Sequence, residues 1–153
     1  MTVPSTRSTL RPHPFALALL FAAALAAAWP AVPFAQQWPA LRQGMWEFTR
    51  TMQPPGGGAA TTVTSKRCID PVADMQRQNA NLSKAGCTIS APAQSGKTYT
   101  FTAACKMMGV QSNMKSTLVV EGDSAYTLTV EGTADGQPVK ELLKARRTGD
   151  CTR

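Results

Sequence analysis

The residues best suited to chemistry in this chain are four cysteines: Cys68, Cys87, Cys105 and Cys151. They are separated by 18, 17 and 45 intervening residues, and none belongs to a Cys-x-x-Cys pair. Zinc ribbons and thioredoxin-type redox sites use that closer spacing. An even number of cysteines is instead typical of structural disulfides in an oxidising compartment. We therefore expect two disulfides.

Four cysteines allow three pairings, and the sequence alone does not choose strictly among them. We expect the sequential pairing, Cys68–Cys87 with Cys105–Cys151. The first bond would join the two ends of a predicted helical connection, and the second would fasten the last element to a predicted strand. In the chain-entropy description each bond would contribute roughly 3–4 kcal/mol to stability.

Catalytic side chains are scarce. The single histidine, His13, precedes the cysteine-bearing region, which therefore has no imidazole for general-base catalysis or metal binding. The nine carboxylates are scattered, so a two-carboxylate hydrolase is a minor alternative. Met107, Met108 and Met114 could bind Cu(I), although methionine more often fills gaps in a core. We predict no catalytic residues, no metal and no cofactor.

Residues 1–35 have the layout of a secretory signal peptide. Arg7 and Arg11 precede an unbroken apolar run at 15–28, and prolines and small residues follow. An uncleaved anchor is the alternative, because residues 15–35 are just long enough to span a bilayer. We expect residues 1–35 to be removed, which leaves a periplasmic or secreted protein containing all four cysteines.

The expected mature chain is basic. Residues 1–35 contain two of the 16 Lys and Arg residues, so 14 remain against nine Asp and Glu, for a net charge of +5. The densest basic cluster consists of Lys140, Lys144, Arg146 and Arg147. Because aromatic residues are not interleaved with these basic residues, we expect no nucleic-acid partner. An anionic envelope component, a lipid or another envelope protein fits this charge better. The alternative is that these basic residues form an ordinary solvated face with no single partner.

Residues 36–153 predict one β-rich domain. Short alternating apolar and polar runs are separated by turn signals such as Asp135-Gly136. A helix is predicted at 71–78, with Asp70 as its cap and Pro71 in its first turn. We predict a mainly β fold: a single antiparallel meander, which could curve into a half-barrel, with one short helix and two disulfides. Segment 138–148 has helical spacing of apolar residues but follows a hairpin turn, so helix and strand both stay open.

Strand alternation places five of the domain's aromatic residues together on one predicted face. These residues are Trp46, Phe48, Tyr99, Phe101 and Tyr126. One short helix covers little of a sheet, so this face is a candidate binding surface for an amphipathic anionic molecule, such as a lipid, or for a partner's strand. The alternative is that the five aromatic residues form the core.

Two short motifs frame the domain: Gly-x-Trp-Glu at 44–47, within LRQGMWEFT, and Gly-Asp-Cys at 149–151. Together with the four cysteines they resemble the bacterial exported family of domain of unknown function 3617, over about residues 41–151. Family members usually have Pro-Gly before the tryptophan, where this chain has Gln43-Gly44. The resemblance implies an exported β-rich domain and favours a strand at 138–148, but it implies no agreed activity.

The leading functional expectation is a noncatalytic binding or accessory module, because the inventory of catalytic side chains is so thin. A structural or stress-related envelope protein without a ligand is the first alternative. The two-carboxylate hydrolase is the second, and it would require a deep pocket holding both carboxylates.

Overall fold

The computed structural model describes residues 38–54 and 58–152. The predicted signal peptide, residues 1–35, lies outside this range. The elements are β1 (Gly44–Gln53), β2 (Thr61–Ile69), α1 (Pro71–Lys84), β3 (Thr88–Ile89), β4 (Ala93–Ser95), β5 (Thr98–Met107), β6 (Val110–Val120), β7 (Ala125–Ala134) and β8 (Gln137–Gly149). No helix in the described part of the chain has the length and hydrophobicity that crossing a bilayer requires.

All eight strands belong to one open antiparallel sheet. Its order is β2-β1-β8-β7-β6-β5-β3, and β4 pairs with β5 beside β3. Strands β5 to β8 form a meander of hairpins, and β8 then pairs with β1, so the first and last long strands are neighbours. The prediction of a mainly β, antiparallel fold with one helix and two disulfides is confirmed.

Segment 138–148 lies within β8 and is a strand, as the turn and the family resemblance favoured. The Asp135-Gly136 turn has positive φ at both residues, +50° and +74°, which brings the chain straight back along β7. Because β8 lies between β1 and β7, its backbone can hydrogen-bond on both sides. That pairing outweighs the local helical spacing of its apolar residues.

Helix α1 begins where the sequence predicts. Oδ1 of Asp70 accepts hydrogen bonds from the N–H groups of Val72 and Ala73, at 3.0 and 3.1 Å, so that two otherwise unpaired donors are satisfied. The predicted end at residue 78 is wrong, since the helix continues to Lys84. No glycine or proline interrupts it before Gly86, where φ is +95°.

The core lies on the face of the sheet that α1 covers. Trp46 is completely buried there, its ring centroid lies 5.7 Å from that of Tyr126, and its Nε1 donates to the Arg42 carbonyl at 3.0 Å. Cross-strand pairing sets Phe48 and Tyr126 on either side of Ala145. The rest of the buried cluster comprises Tyr99, Leu118 and Val120. The opposite face of the sheet carries threonines and lysines, such as Lys144 of β8 between Thr49 of β1 and Thr127 of β7.

The disulfides are Cys68–Cys151 and Cys87–Cys105, so the predicted sequential pairing is wrong. In the sheet, Met45 lies opposite both Gly149 and Cys68, so the end of the chain reaches β2 rather than β5. Cys87 immediately precedes β3, and β3 pairs with the end of β5 that carries Cys105. The Cα–Cα distances are 5.5 and 4.1 Å.

The two sequence motifs meet at one corner of the sheet. A Cβ atom at Gly44, where φ is +156°, would overlap the carbonyl oxygen of Gly149 and the side chain of Arg147. Nε of Arg147 donates to the Gln43 carbonyl at 2.9 Å, and its guanidinium also pairs with Asp150. The absence of a side chain at Gly44 therefore allows the two chain segments to approach closely.

Candidate binding groove

A groove lies between α1 and the core face of the sheet, and its volume is about 410 Å³. Side chains from β1, β2, α1, β7 and β8 line it: Phe48, Arg50, Val63, Ser65, Arg67, Asp74, Met75, Gln78, Tyr126, Leu128 and Leu143. We call this feature the helix groove. Its lining is mixed: apolar side chains lie beside two arginines and one carboxylate.

The sheet register builds the apolar wall. Leu143 of β8 lies between Arg50 of β1 and Leu128 of β7. Two residues further along each strand, Ala145 lies between Phe48 and Tyr126. Residues two apart on a strand share a face, so these side chains form adjacent rows under the helix. Met75 of α1 packs against the same cluster. Leu128 and Leu143 are only half-buried, which leaves apolar surface within the groove.

Arg67 is placed where it can meet a ligand. Its guanidinium carbon lies 5.0 Å from the centre of the Phe48 ring, a favourable cation–π position. Nη2 of Arg67 lies 4.0 Å from Oδ2 of Asp74, its nearest carboxylate oxygen, and this distance is too long for a hydrogen bond. The Arg67 side chain lines the groove and is 53% exposed, so a ligand in the groove can reach it.

Asp74 makes its closer contacts within its own helix. The Arg77 guanidinium pairs with Oδ1, and the side-chain amide of Gln78 donates to Oδ2 at 2.8 Å. The second groove arginine, Arg50, pairs with Glu141 at 2.9 Å. Arg67 is therefore the groove cation least engaged by a carboxylate.

Tyr126 forms part of the groove without adding charge. Burial, with a further contribution from the negative charge of Asp74, raises the pKa of Tyr126 to about 12. The phenol therefore stays protonated at neutral pH. Asp74 is the one carboxylate that lines the groove, so the described lining lacks the second carboxylate that the hydrolase alternative requires.

Four of the five aromatic residues predicted to share a face lie in the core cluster: Trp46, Phe48, Tyr99 and Tyr126. Phe101 is half-buried further along β5. Only Phe48 and Tyr126 also line the groove. Four groove residues were not predicted from the sequence as site residues: Arg50, Arg67, Asp74 and Met75. The alternation of side chains along β1 and β2 places Arg50 and Arg67 on the core face. That placement locates them in the groove only once the pairing of the strands is known.

The structure does not bring the three methionines to one point. Met114 lies opposite Ala103, four residues along β5 from Met107, and Met108 is fully exposed at the β5–β6 turn. Among the described residues, no group of three or more histidine, cysteine or acidic side chains could hold a metal ion.

The basic cluster of β8 is divided between the two faces of the sheet. Lys140 and Arg146 lie on the face opposite the groove, where they pair with Glu131 at 2.8 Å and Glu47 at 3.5 Å. Lys144 lies between Thr49 and Thr127 on that same face. Arg147 points to the other side and is largely buried.

The fold and groove define a class of protein: a small two-disulfide β domain with one antiparallel sheet and a single covering helix. A family model described as a protein of unknown function, DUF3617, matches residues 41–151. The chain belongs to this family. It matches no curated protein and no solved structure. The two disulfides are typical of an oxidising, non-cytoplasmic location.

Proposed function

We propose that this protein is an exported, noncatalytic binding module whose helix groove takes an amphipathic anionic molecule with one acyl chain. The observation that supports it most directly is that Arg67, which lines the groove and is half-exposed, shares that lining with the half-buried apolar side chains of Leu128 and Leu143. An acyl chain would lie on the wall, and an anionic head group would meet the guanidinium.

The size of the groove supports a small ligand. Pockets for small molecules typically measure about 300–1,000 Å³. At about 410 Å³, the helix groove lies near the lower end of that range. It therefore suits a fatty acid or a single-chain lipid better than a two-chain phospholipid.

The charge of the groove supports an anion. Two guanidinium groups and one carboxylate line it, and the carboxylate is already engaged by Arg77 and Gln78. A planar guanidinium can donate two parallel hydrogen bonds to a carboxylate or phosphate group. Arg50 is already paired with Glu141, so a cationic head group would meet the charge of Arg67 and be repelled.

Export is supported by the two disulfides and by the signal-peptide layout of residues 1–35. The thin inventory of catalytic side chains supports binding rather than turnover.

Calorimetric titration with dodecanoate tests the proposal, and dodecylamine serves as the cation of equal chain length. We expect dodecanoate to bind and dodecylamine not to bind. Arg67→Gln should weaken dodecanoate binding roughly tenfold or more, because a hydrogen bond to a charged group is worth about 1.5–3 kcal/mol. The matched control is Arg42→Gln, an exposed arginine that does not line the groove and should leave the affinity unchanged.

Equal binding of both amphiphiles, or unchanged affinity in Arg67→Gln, would contradict the proposal. Native mass spectrometry of protein isolated from its own envelope provides a second measurement. We expect an anionic adduct on the natural protein and on Arg42→Gln, and its loss from Arg67→Gln.

A further inference from the structure

The two edges of the sheet differ in how they are protected. One edge is formed by β3 and β4, of two and three residues, with Pro92 between them. The other edge is β2, which has nine residues, and Thr61 to Cys68 are all exposed. Short, interrupted edge strands resist pairing with another chain, whereas long regular ones invite it.

The first half of β2 lacks the usual protection of an exposed edge. Residues 61–65, TTVTS, contain no charge and no proline, and threonine and valine favour extended structure. Val63 at their centre is 52% exposed. Lys66 and Arg67 follow this stretch and already lie near Glu47 and Asp74 of the same chain.

We infer that a second copy of this chain pairs its own β2 with this edge, antiparallel, about a twofold axis at Val63. The axis falls at the centre of the uncharged stretch, so each Val63 faces its counterpart. Thr62 then faces Thr64 of the second copy. Cross-strand threonine pairs stabilise a sheet, and Thr62 already makes one within the chain, its Oγ1 lying 3.0 Å from Oγ1 of Thr51.

The basic residues permit this register. In it Lys66 lies opposite Ala60 of the second copy and Arg67 opposite Ala59, so no like charges face one another. A register centred on Lys66 would set that residue against itself and would be repulsive. The uncharged stretch contains no charge to match an acidic or basic partner strand, whereas the second copy meets it with the same uncharged threonine and valine side chains. Twofold symmetry also makes every favourable pair occur twice.

The dimer would bring the two helix grooves together. Val63, Ser65 and Arg67 line the groove and also lie on the pairing strand. The two grooves would therefore adjoin across the axis, each with its Arg67 beside the junction. The pairing itself does not depend on any ligand in the groove.

Sedimentation equilibrium of the protein as isolated, from micromolar to millimolar concentration, tests the inference. Pairing of a single strand buries a small area, so we expect a monomer–dimer equilibrium rather than a permanent dimer. Val63→Lys should give a monomer throughout, because it sets like charges opposite each other. The matched control is Val119→Lys, which places a lysine at an exposed valine on β6 and should leave dimerisation unchanged.

A chemical cross-link tests the register. Val63→Cys should form an interchain disulfide under mild oxidation, with the two native disulfides verified by peptide mapping. Thr61→Cys should not, because the two substituted positions would lie four residues apart along the strands, roughly 13 Å, which is too far for a disulfide. A monomer at every concentration, an undiminished dimer in Val63→Lys, or β2 occupied by a different protein would overturn the inference.

Discussion

Gly132 of β7 lies against the backbone of β6. A Cβ atom there would overlap the carbonyl oxygen of Asn113 and lie 2.9 Å from Cα of Met114, both of them backbone atoms. Gly132→Ala should therefore lower the free energy of unfolding by about 1–3 kcal/mol, as overpacking usually does. Gly149→Ala is the control, because a Cβ atom there meets nothing within 4 Å. Chemical denaturation measures both, and equal stability of the two variants would contradict the prediction.

Tyr126 gives the domain a pH dependence on the alkaline side. Because its pKa is about 12 in the folded protein and 10.0 ordinarily, the folded state holds the phenolic proton more tightly. This stabilisation is complete below pH 10 and is lost as the pH rises toward 12. The loss amounts to at most about 2–3 kcal/mol.

Tyr126→Phe should remove that part of the pH dependence. Denaturation midpoints at pH 8, 10 and 11 would fall for the natural protein by more than for the variant. Absorbance titration of the folded protein should show the corresponding late ionisation. Parallel pH profiles of the two proteins would refute the assignment.

At the scale of the element, helix α1 depends on its first residues. Asp70→Ala leaves the N–H groups of Val72 and Ala73 without their acceptor, and should cost about 1 kcal/mol of stability. Asp70→Asn keeps a side-chain oxygen in the same place and should cost much less. Thermal unfolding followed by circular dichroism distinguishes them. A similar loss in both variants would show that the charge, and not the cap, is what stabilises the helix.

The elements were largely predictable because their signals are local. Asp70-Pro71 marks the start of α1, Asp135-Gly136 marks a hairpin, and alternation marks the strands around them. The end of α1 was missed because its last turn contains weak helix formers but no breaker. The groove was only partly predictable: Phe48 and Tyr126 follow from alternation, whereas the position of Arg67 depends on how β2 pairs with β1.

At the scale of the whole molecule, the Cys68–Cys151 disulfide depends on the long-range pairing of β1 with β8, which no local sequence signal indicates. The sequence contains a hairpin signal between β7 and β8, but nothing local indicates that β8 pairs with β1 and so carries Cys151 to Cys68. Nonreducing peptide mapping should find Cys68–Cys151 and Cys87–Cys105. Either of the other two pairings would contradict the structure.

The two bonds should differ in their contribution to stability. Cys68–Cys151 spans 83 residues and Cys87–Cys105 spans 18. The chain-entropy description gives about 4.5 and about 3 kcal/mol respectively. Replacing both cysteines of each pair by serine, and measuring unfolding in urea, should therefore show the larger loss for the longer loop. The opposite order would mean that the short bond also stabilises packing at the α1–β5 junction.

The long disulfide also decides how the domain would respond to a mechanical load. Tension applied between Trp38 and Thr152 would pass from Cys151 directly into Cys68, and everything between them would form a closed covalent ring that carries no stretching force. Only the stretch ahead of Cys68, mainly β1 and β2, could then be drawn out, at no more than about 3.6 Å per residue. A reductant would open the ring and make the same chain extensible along its whole length.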